Sequence, residues 1–300
     1  MRRLRGSLVP LVLLSVVAGC GGGDEPAAPP DPAAASSLAS APTDGPGATS
    51  PEQALAGGLR ALLGGSAVDF RYRILSGETV LTETSGRAFL AGGWSATTHF
   101  DDAATGVVAP DEEGADNTML VRASGDDVFM QLSGWPEPVA GCWLRMGPGE
   151  SPIGLLAMTP KLPFHIGLLG TLHAVDFAPG DDTVIVARTQ LRSALLLLSG
   201  PVVQSIDLSD EQARDARVPV GVLTTDGVVT DVSLRGADVV QSVEEAGGTV
   251  PADTAAGLAR LDLTLRYQTS PEYAEPVTAP SPGLVMTSAD LAGHGCRSEN

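Results

Sequence analysis

The chain has 300 residues, a formal net charge of −18 and only 4% aromatic residues. So acidic a surface repels nucleic acid and anionic lipid headgroups, and excludes both as free partners. The scarcity of aromatic side chains leaves Leu, Val, Ile and Met to wall any apolar pocket, a surface suited to acyl chains rather than to stacked rings.

In chain order, Arg2, Arg3 and Arg5 form a basic head, Leu8 to Val17 an apolar run, and Val17-Ala18-Gly19-Cys20 closes it. This is the pattern of a secretory signal, and the small residues before the cysteine look like a bacterial lipobox. Residues 1–19 are read as a lipoprotein signal peptide, with Cys20 as the lipidated first residue after cleavage. An ordinary signal peptide with a chance cysteine, or a single membrane span, are the alternatives; the apolar run falls short of the roughly 20 residues a span needs. Lipidation implies export and attachment to the outer face of the bacterial cell membrane. Residues 20–50 are rich in Gly, Pro and Ala, with almost no large apolar side chain, and read as a tether that cannot offset its own ordering entropy. Residues 51–300 remain for a single domain. Lys161 is the only lysine, and the Ala, Gly and Asp richness suggests a high-GC, actinobacterial source.

Ser50-Pro51-Glu52-Gln53 is a capping-box helix start, followed by Leu55, Leu59, Leu62 and Leu63 at helical spacing. The period then changes to two. Val68, Phe70, Tyr72 and Ile74 alternate with polar residues, Thr79 to Leu90 reads as a second strand with Gly86 as a bulge or bend, and Trp94 to Phe100 as a third. Thr118–Ala123 and Val128–Leu132 flank a hairpin signal, and Cys142–Met146 is a short strand. Ile153 to Leu172 is largely uncharged and predicts two short apolar helices, around Leu155 to Met158 and Phe164 to Leu172. They either fill a core or line a cavity. Thr183–Ala187 predicts a strand, Leu191, Leu195 and Leu198 a helical stripe ended by Gly200-Pro201, and Ser209 to Gln212 a second capping box. Val218 to Leu234 reads as a tight hairpin about Asp226-Gly227, and Leu261 to Tyr267 as a last strand. The order predicts an α+β fold with a large antiparallel sheet, apolar on one face.

Cys142 and Cys296 remain in an exported, oxidising setting, so a disulfide is the default and two free thiols the alternative. No zinc-protease, nucleophile-elbow, phosphate-loop or paired-cysteine motif is present, no metal or cofactor is expected, and the chain is not read as an enzyme. His99 reads as a sheet residue. His165 and His173 are expected to face solvent or to be hydrogen-bonded.

Several features together resemble the mycobacterial LppX/LprA/LprF/LprG-type lipoproteins, which share the fold of the outer-membrane lipoprotein carriers. They are the lipobox and tether, the Glu52-Gln53-Ala54-Leu55 helix, Asp127-Val128-Phe129-Met130 with Cys142-Trp143-Leu144, and the Ser209 helix running into Val218-Pro219-Val220 and the Asp226-Gly227 hairpin. The resemblance implies a curved, unclosed antiparallel β-barrel (a half-barrel) wrapped around a few apolar helices, with a cavity for the acyl chains of a lipid or lipoglycan and a role in lipid transport or presentation. The acidic stretch Asp111 to Asp116, the tail past Tyr267 and the Cys142/Cys296 pair depart from that pattern; the tail is placed to cover a cavity mouth. The candidate cavity residues are Phe70, Tyr72, Phe100, Leu156, Leu168, Leu169 and Val232. The rival reading is a lipoprotein that docks another envelope protein, such as a transporter, without lipid cargo.

Overall fold

The structure is a computed structural model that describes residues 49–100, 118–133, 139–146, 162–270, 275–288, 290 and 295–296. Cys20, the tether up to residue 48, Asp111 to Asp116, Leu156 and the first expected apolar helix lie outside the described residues.

The first capping box forms as expected. Ser50 Oγ accepts from the Gln53 amide and the Gln53 side chain accepts from the Ser50 amide, starting helix α1, Pro51–Leu63. Strands β1 (Ala67–Ser76), β2 (Thr79–Phe89), β3 (Trp94–Phe100), β4 (Thr118–Ser124), β5 (Asp127–Leu132) and β6 (Trp143–Met146) follow. Next come the short helix α2 (Phe164–Gly167), continued by a 3-10 turn over Leu168–Thr171, and strands β7 (His173–Ala178) and β8 (Asp181–Gln190). Helices α3 (Leu191–Leu195), α4 (Gly200–Ser205) and α5 (Asp210–Asp215) lead to β9 (Arg217–Thr225) and β10 (Val228–Arg235). Helices α6 (Gly236–Glu245) and α7 (Ala252–Leu258), β11 (Leu261–Thr269) and the two-residue β12 (Val285–Met286) complete the order.

The strands form one 12-stranded sheet in the order β12-β6-β5-β4-β3-β2-β1-β11-β10-β9-β8-β7. It is open, with β12 and β7 at its edges. Every pairing is antiparallel except β12 on β6, which is parallel and corrects the all-antiparallel expectation. The α+β class and the open sheet agree with the sequence reading.

Alternation sorts the two faces. Val68, Phe70 and Tyr72 of β1, Val121 of β4, Val220 and Val222 of β9, Val232 of β10 and Leu263 and Leu265 of β11 are buried in one core cluster. The opposite face carries cross-strand ion pairs: Asp69 with Arg87, Glu83 with Arg71 and Arg73, Asp127 with Arg145, and Asp231 with Arg266. Exposed pairs of this kind contribute about 0–1 kcal/mol each, so they help fix register more than stability. Stability comes from the apolar face, where a fully buried Leu or Phe contributes roughly 1.5–3 kcal/mol.

Two local expectations are corrected. Gly86 is no bulge: it pairs in register with Phe70 and Ala96. A Cβ there would lie 2.4 Å from the Ser95 carbonyl and 2.6 Å from Phe70 Cζ, so the position is glycine for want of space. The β1–β2 irregularity falls instead between Ile74 and Leu75. Gly200-Pro201 opens α4 rather than ending the helical stripe, which stops at Leu195, because Pro suits the first turn. The helix expected over Phe164 to Leu172 forms as α2 and the 3-10 turn, and strand β7, which the sequence reading did not include, follows it.

Helix α1 contacts β10, β11, β1 and the edge strand β7. Its close approach to the β9–β10 hairpin needs Gly58, where a Cβ would meet the Val229 amide nitrogen at 3.2 Å. The Asp226-Gly227 turn has positive φ at both residues, 52° and 73°, the tight-hairpin geometry that sequence predicts. Cys142 and Cys296 form the expected disulfide, joining the start of β6 to the chain end.

Candidate functional site

Five of the seven candidate cavity residues meet in the interior. Phe70 and Tyr72 project from β1, Val232 from β10, and Leu168 and Leu169 from the 3-10 turn; all are buried in the same cluster. β1 is paired with β11, which sets Phe70 opposite Tyr267 and Tyr72 opposite Leu265. Phe100 is the exception. It shares the inward parity of Ala96 and Thr98, but it ends β3 and is 36% exposed, so it is not enclosed with the others. Leu156 is outside the described residues.

The residue that sequence reasoning misplaced is His165. It neither faces solvent nor is hydrogen-bonded through its ring. It is buried among Phe70, Tyr72 and Phe164, with ring centroids 4.9, 5.0 and 3.9 Å away. Neither ring nitrogen has a hydrogen-bond partner among the described residues. Burial alone pulls its pKa down from 6.5 to about 3, so the ring is neutral near pH 7. The signal in the sequence was its company: Leu162-Pro163-Phe164-His165-Ile166 is apolar on both sides.

Two tyrosines fasten this interior to the backbone. Tyr72 Oη donates to the Leu197 carbonyl at 2.5 Å, and Tyr267 Oη donates to the His165 carbonyl at 2.7 Å. Burial pushes both phenols well above their ordinary pKa, so both remain donors. Thr171 and Thr189 share a hydroxyl–hydroxyl bond of 2.6 Å, tying the 3-10 turn to β8. Segment 162–172 thus lies on the inner face through apolar packing and a few side-chain bonds, without a strand ladder.

Two concavities stand out. One, of about 180 Å³, lies between α1 and β7 and is lined by Leu55, Leu59 and Leu172 among others. It is smaller than the roughly 300–1,000 Å³ of ordinary ligand pockets. The other, of about 600 Å³, opens on the polar face and is bordered by Glu275 and Val277 of the C-terminal tail. The described part of the tail borders the polar face through Glu275 and Val277 and pairs along the β6 edge, where Met286 joins the apolar core. Segment 162–172 packs against β1 and β8 on the inner face. No group of three or more His, Cys, Asp or Glu suited to a metal occurs among the described residues. His99 Nδ1 is 3.1 Å from Thr118 Oγ1 in the sheet, and His173 is exposed on β7. No described helix is long and apolar enough to cross a membrane.

Comparison with known proteins gives no match: no protein-family model fits the chain, and no curated protein resembles it at a significant level.

Proposed function

We propose that this chain is a lipid-anchored envelope lipoprotein of the LppX/LprG type that binds acyl chains of a lipid or lipoglycan on the inner face of a half-barrel, for transport or presentation. Cys20 carries the anchor and makes no bond to cargo, and no catalytic step is involved. The sheet curls around α1 and segment 162–172, and cargo displaces that segment. One observation supports this reading: the interior beside Phe70, Tyr72 and Val232 is filled by segment 162–172, which carries Leu168 and Leu169, is held by short helical turns and a few side-chain bonds rather than a strand ladder, and buries an imidazole whose two nitrogens have no partner among the described residues. A buried polar group without a partner costs about 1–3 kcal/mol, which lowers the cost of moving the segment out. The walls are Leu, Val and Phe, and binding would draw on apolar area at roughly 25 cal/mol per Å² before association costs.

The rival, a docking lipoprotein, draws on a different observation. Val175 of β7, Val186 of β8 and Leu223 of β9 are exposed on three adjoining strands at the open edge of the sheet, where unpaired β7 backbone is also available. Extraction of the full chain, produced in an envelope rich in native lipids, separates the two readings. Stoichiometric non-covalent lipid beside the Cys20-linked acyl groups supports the carrier. Lipid-free protein, with a partner lost on Val175→Asp or Leu223→Asp substitution, supports docking and overturns the carrier.

A further inference from the structure

The 600 Å³ cleft reaches the sheet at the core residues Phe70, Ala96 and Val121, but the polar side chains along it are not accounted for by the apolar interior. Three hydroxyls line it: Ser85 on β2, and Ser95 and Thr97 on β3. None has a hydrogen-bond partner among the described residues. Register places them in two adjoining cross-strand rows, Asp69-Arg87-Ser95-Arg122 and Arg71-Ser85-Thr97-Leu120.

Arg122 is the unusual member. In a chain of net charge −18 its guanidinium bonds no carboxylate among the described residues, whereas Arg71, Arg73, Arg87 and Arg145 on the same face are all paired. It lies over the buried Trp143 ring, 4.7 Å from the centroid. Stacking holds the planar fork in place while its N–H groups stay available. Across the cleft Asp69 is held by Arg87 through two bonds, of 2.5 and 3.0 Å, so that cation is already neutralised. Glu275 and Val277 border the opening, where Ser124 Oγ donates to the Val277 carbonyl at 3.3 Å.

One uncommitted, pre-oriented guanidinium beside three free hydroxyls matches a ligand with one negative group on a polyhydroxylated body. We propose that this cleft binds an anionic carbohydrate: the guanidinium takes the phosphate or carboxylate through paired N–H···O bonds, and Ser85, Ser95 and Thr97 exchange hydrogen bonds with the sugar hydroxyls. The site is on the face opposite the apolar interior and does not depend on lipid binding there.

Titration of the full chain with glucose 6-phosphate, glucose and inorganic phosphate, followed by calorimetry at low salt, tests it. Glucose 6-phosphate binds at least tenfold more tightly than glucose or inorganic phosphate. Arg122→Gln weakens it tenfold or more, while Arg122→Lys keeps part of the affinity because the charge remains. Ser95→Val, which leaves the cation–ring stack intact, weakens it severalfold and serves as the reporter if Arg122→Gln does not fold. No binding of glucose 6-phosphate, equal binding of inorganic phosphate, or affinity unchanged in Ser95→Val and Arg122→Gln would each overturn the proposal.

Discussion

His165 concentrates the cost of the interior in one side chain. Its folded pKa of about 3 lies below the 6.5 of an exposed imidazole, so between those values the unfolded chain binds the extra proton. The native state is therefore favoured above pH 6.5 and loses stability as pH falls, at up to about 1.4 kcal/mol per pH unit. Denaturant melts between pH 7 and 5 should show that slope, and His165→Phe should flatten it. The same substitution replaces two unpaired nitrogens with apolar edge and should stabilise the protein by about 1–3 kcal/mol at pH 7; a marked loss would mean that the imidazole has a partner. Tyr72 is the opposite case. Tyr72→Phe strips the Leu197 carbonyl of its donor and should cost about 1–3 kcal/mol in the same melts.

Elements that obey one strong local rule were legible in sequence. The capping boxes at Ser50 and Ser209 and the Asp226-Gly227 hairpin form as expected because each satisfies its backbone groups within a few residues. Strand β7 was missed because its alternation is broken by register shifts between Ala174 and Asp176 and between Phe177 and Ala178. Helices α6 and α7 have no side-chain N-cap, so nothing punctuates their starts. β12 exists only because the tail reaches β6, a long-range event with no local signature. Gly86 shows the same limit: its surroundings come from β3 and from Phe70, not from its neighbours in sequence. Gly86→Ala should cost about 1–3 kcal/mol through overpacking against the Ser95 carbonyl, read as a lowered unfolding midpoint. Ser50→Ala should cost about 1 kcal/mol at α1, and Ser50→Gly less, as protection from hydrogen exchange in that helix would report.

At the scale of the whole molecule, one apolar face recruits α1 and segment 162–172, and the opposite face keeps a row of charges and hydroxyls. Phe70, Tyr72 and Val232 converge because apolar residues at alternate strand positions share a face, and Leu168 and Leu169 reach the same cluster from the 3-10 turn. Phe100 fails at a strand end, where parity no longer guarantees cover. The Cys142–Cys296 bridge closes a loop of 154 residues in sequence separation and should contribute roughly 5 kcal/mol on the chain-entropy account, lost in a Cys142→Ala/Cys296→Ala variant. The central claim is that cargo takes the place of segment 162–172. It can be tested by pinning that segment: Thr171→Cys with Thr189→Cys places a disulfide where two hydroxyls already meet at 2.6 Å. Native mass spectrometry of the full chain from a lipid-rich envelope would then compare the stapled form with Thr189→Cys alone. Stoichiometric lipid on the single-cysteine protein and none on the stapled one is the predicted result; equal lipid on both, or none on either, would contradict it.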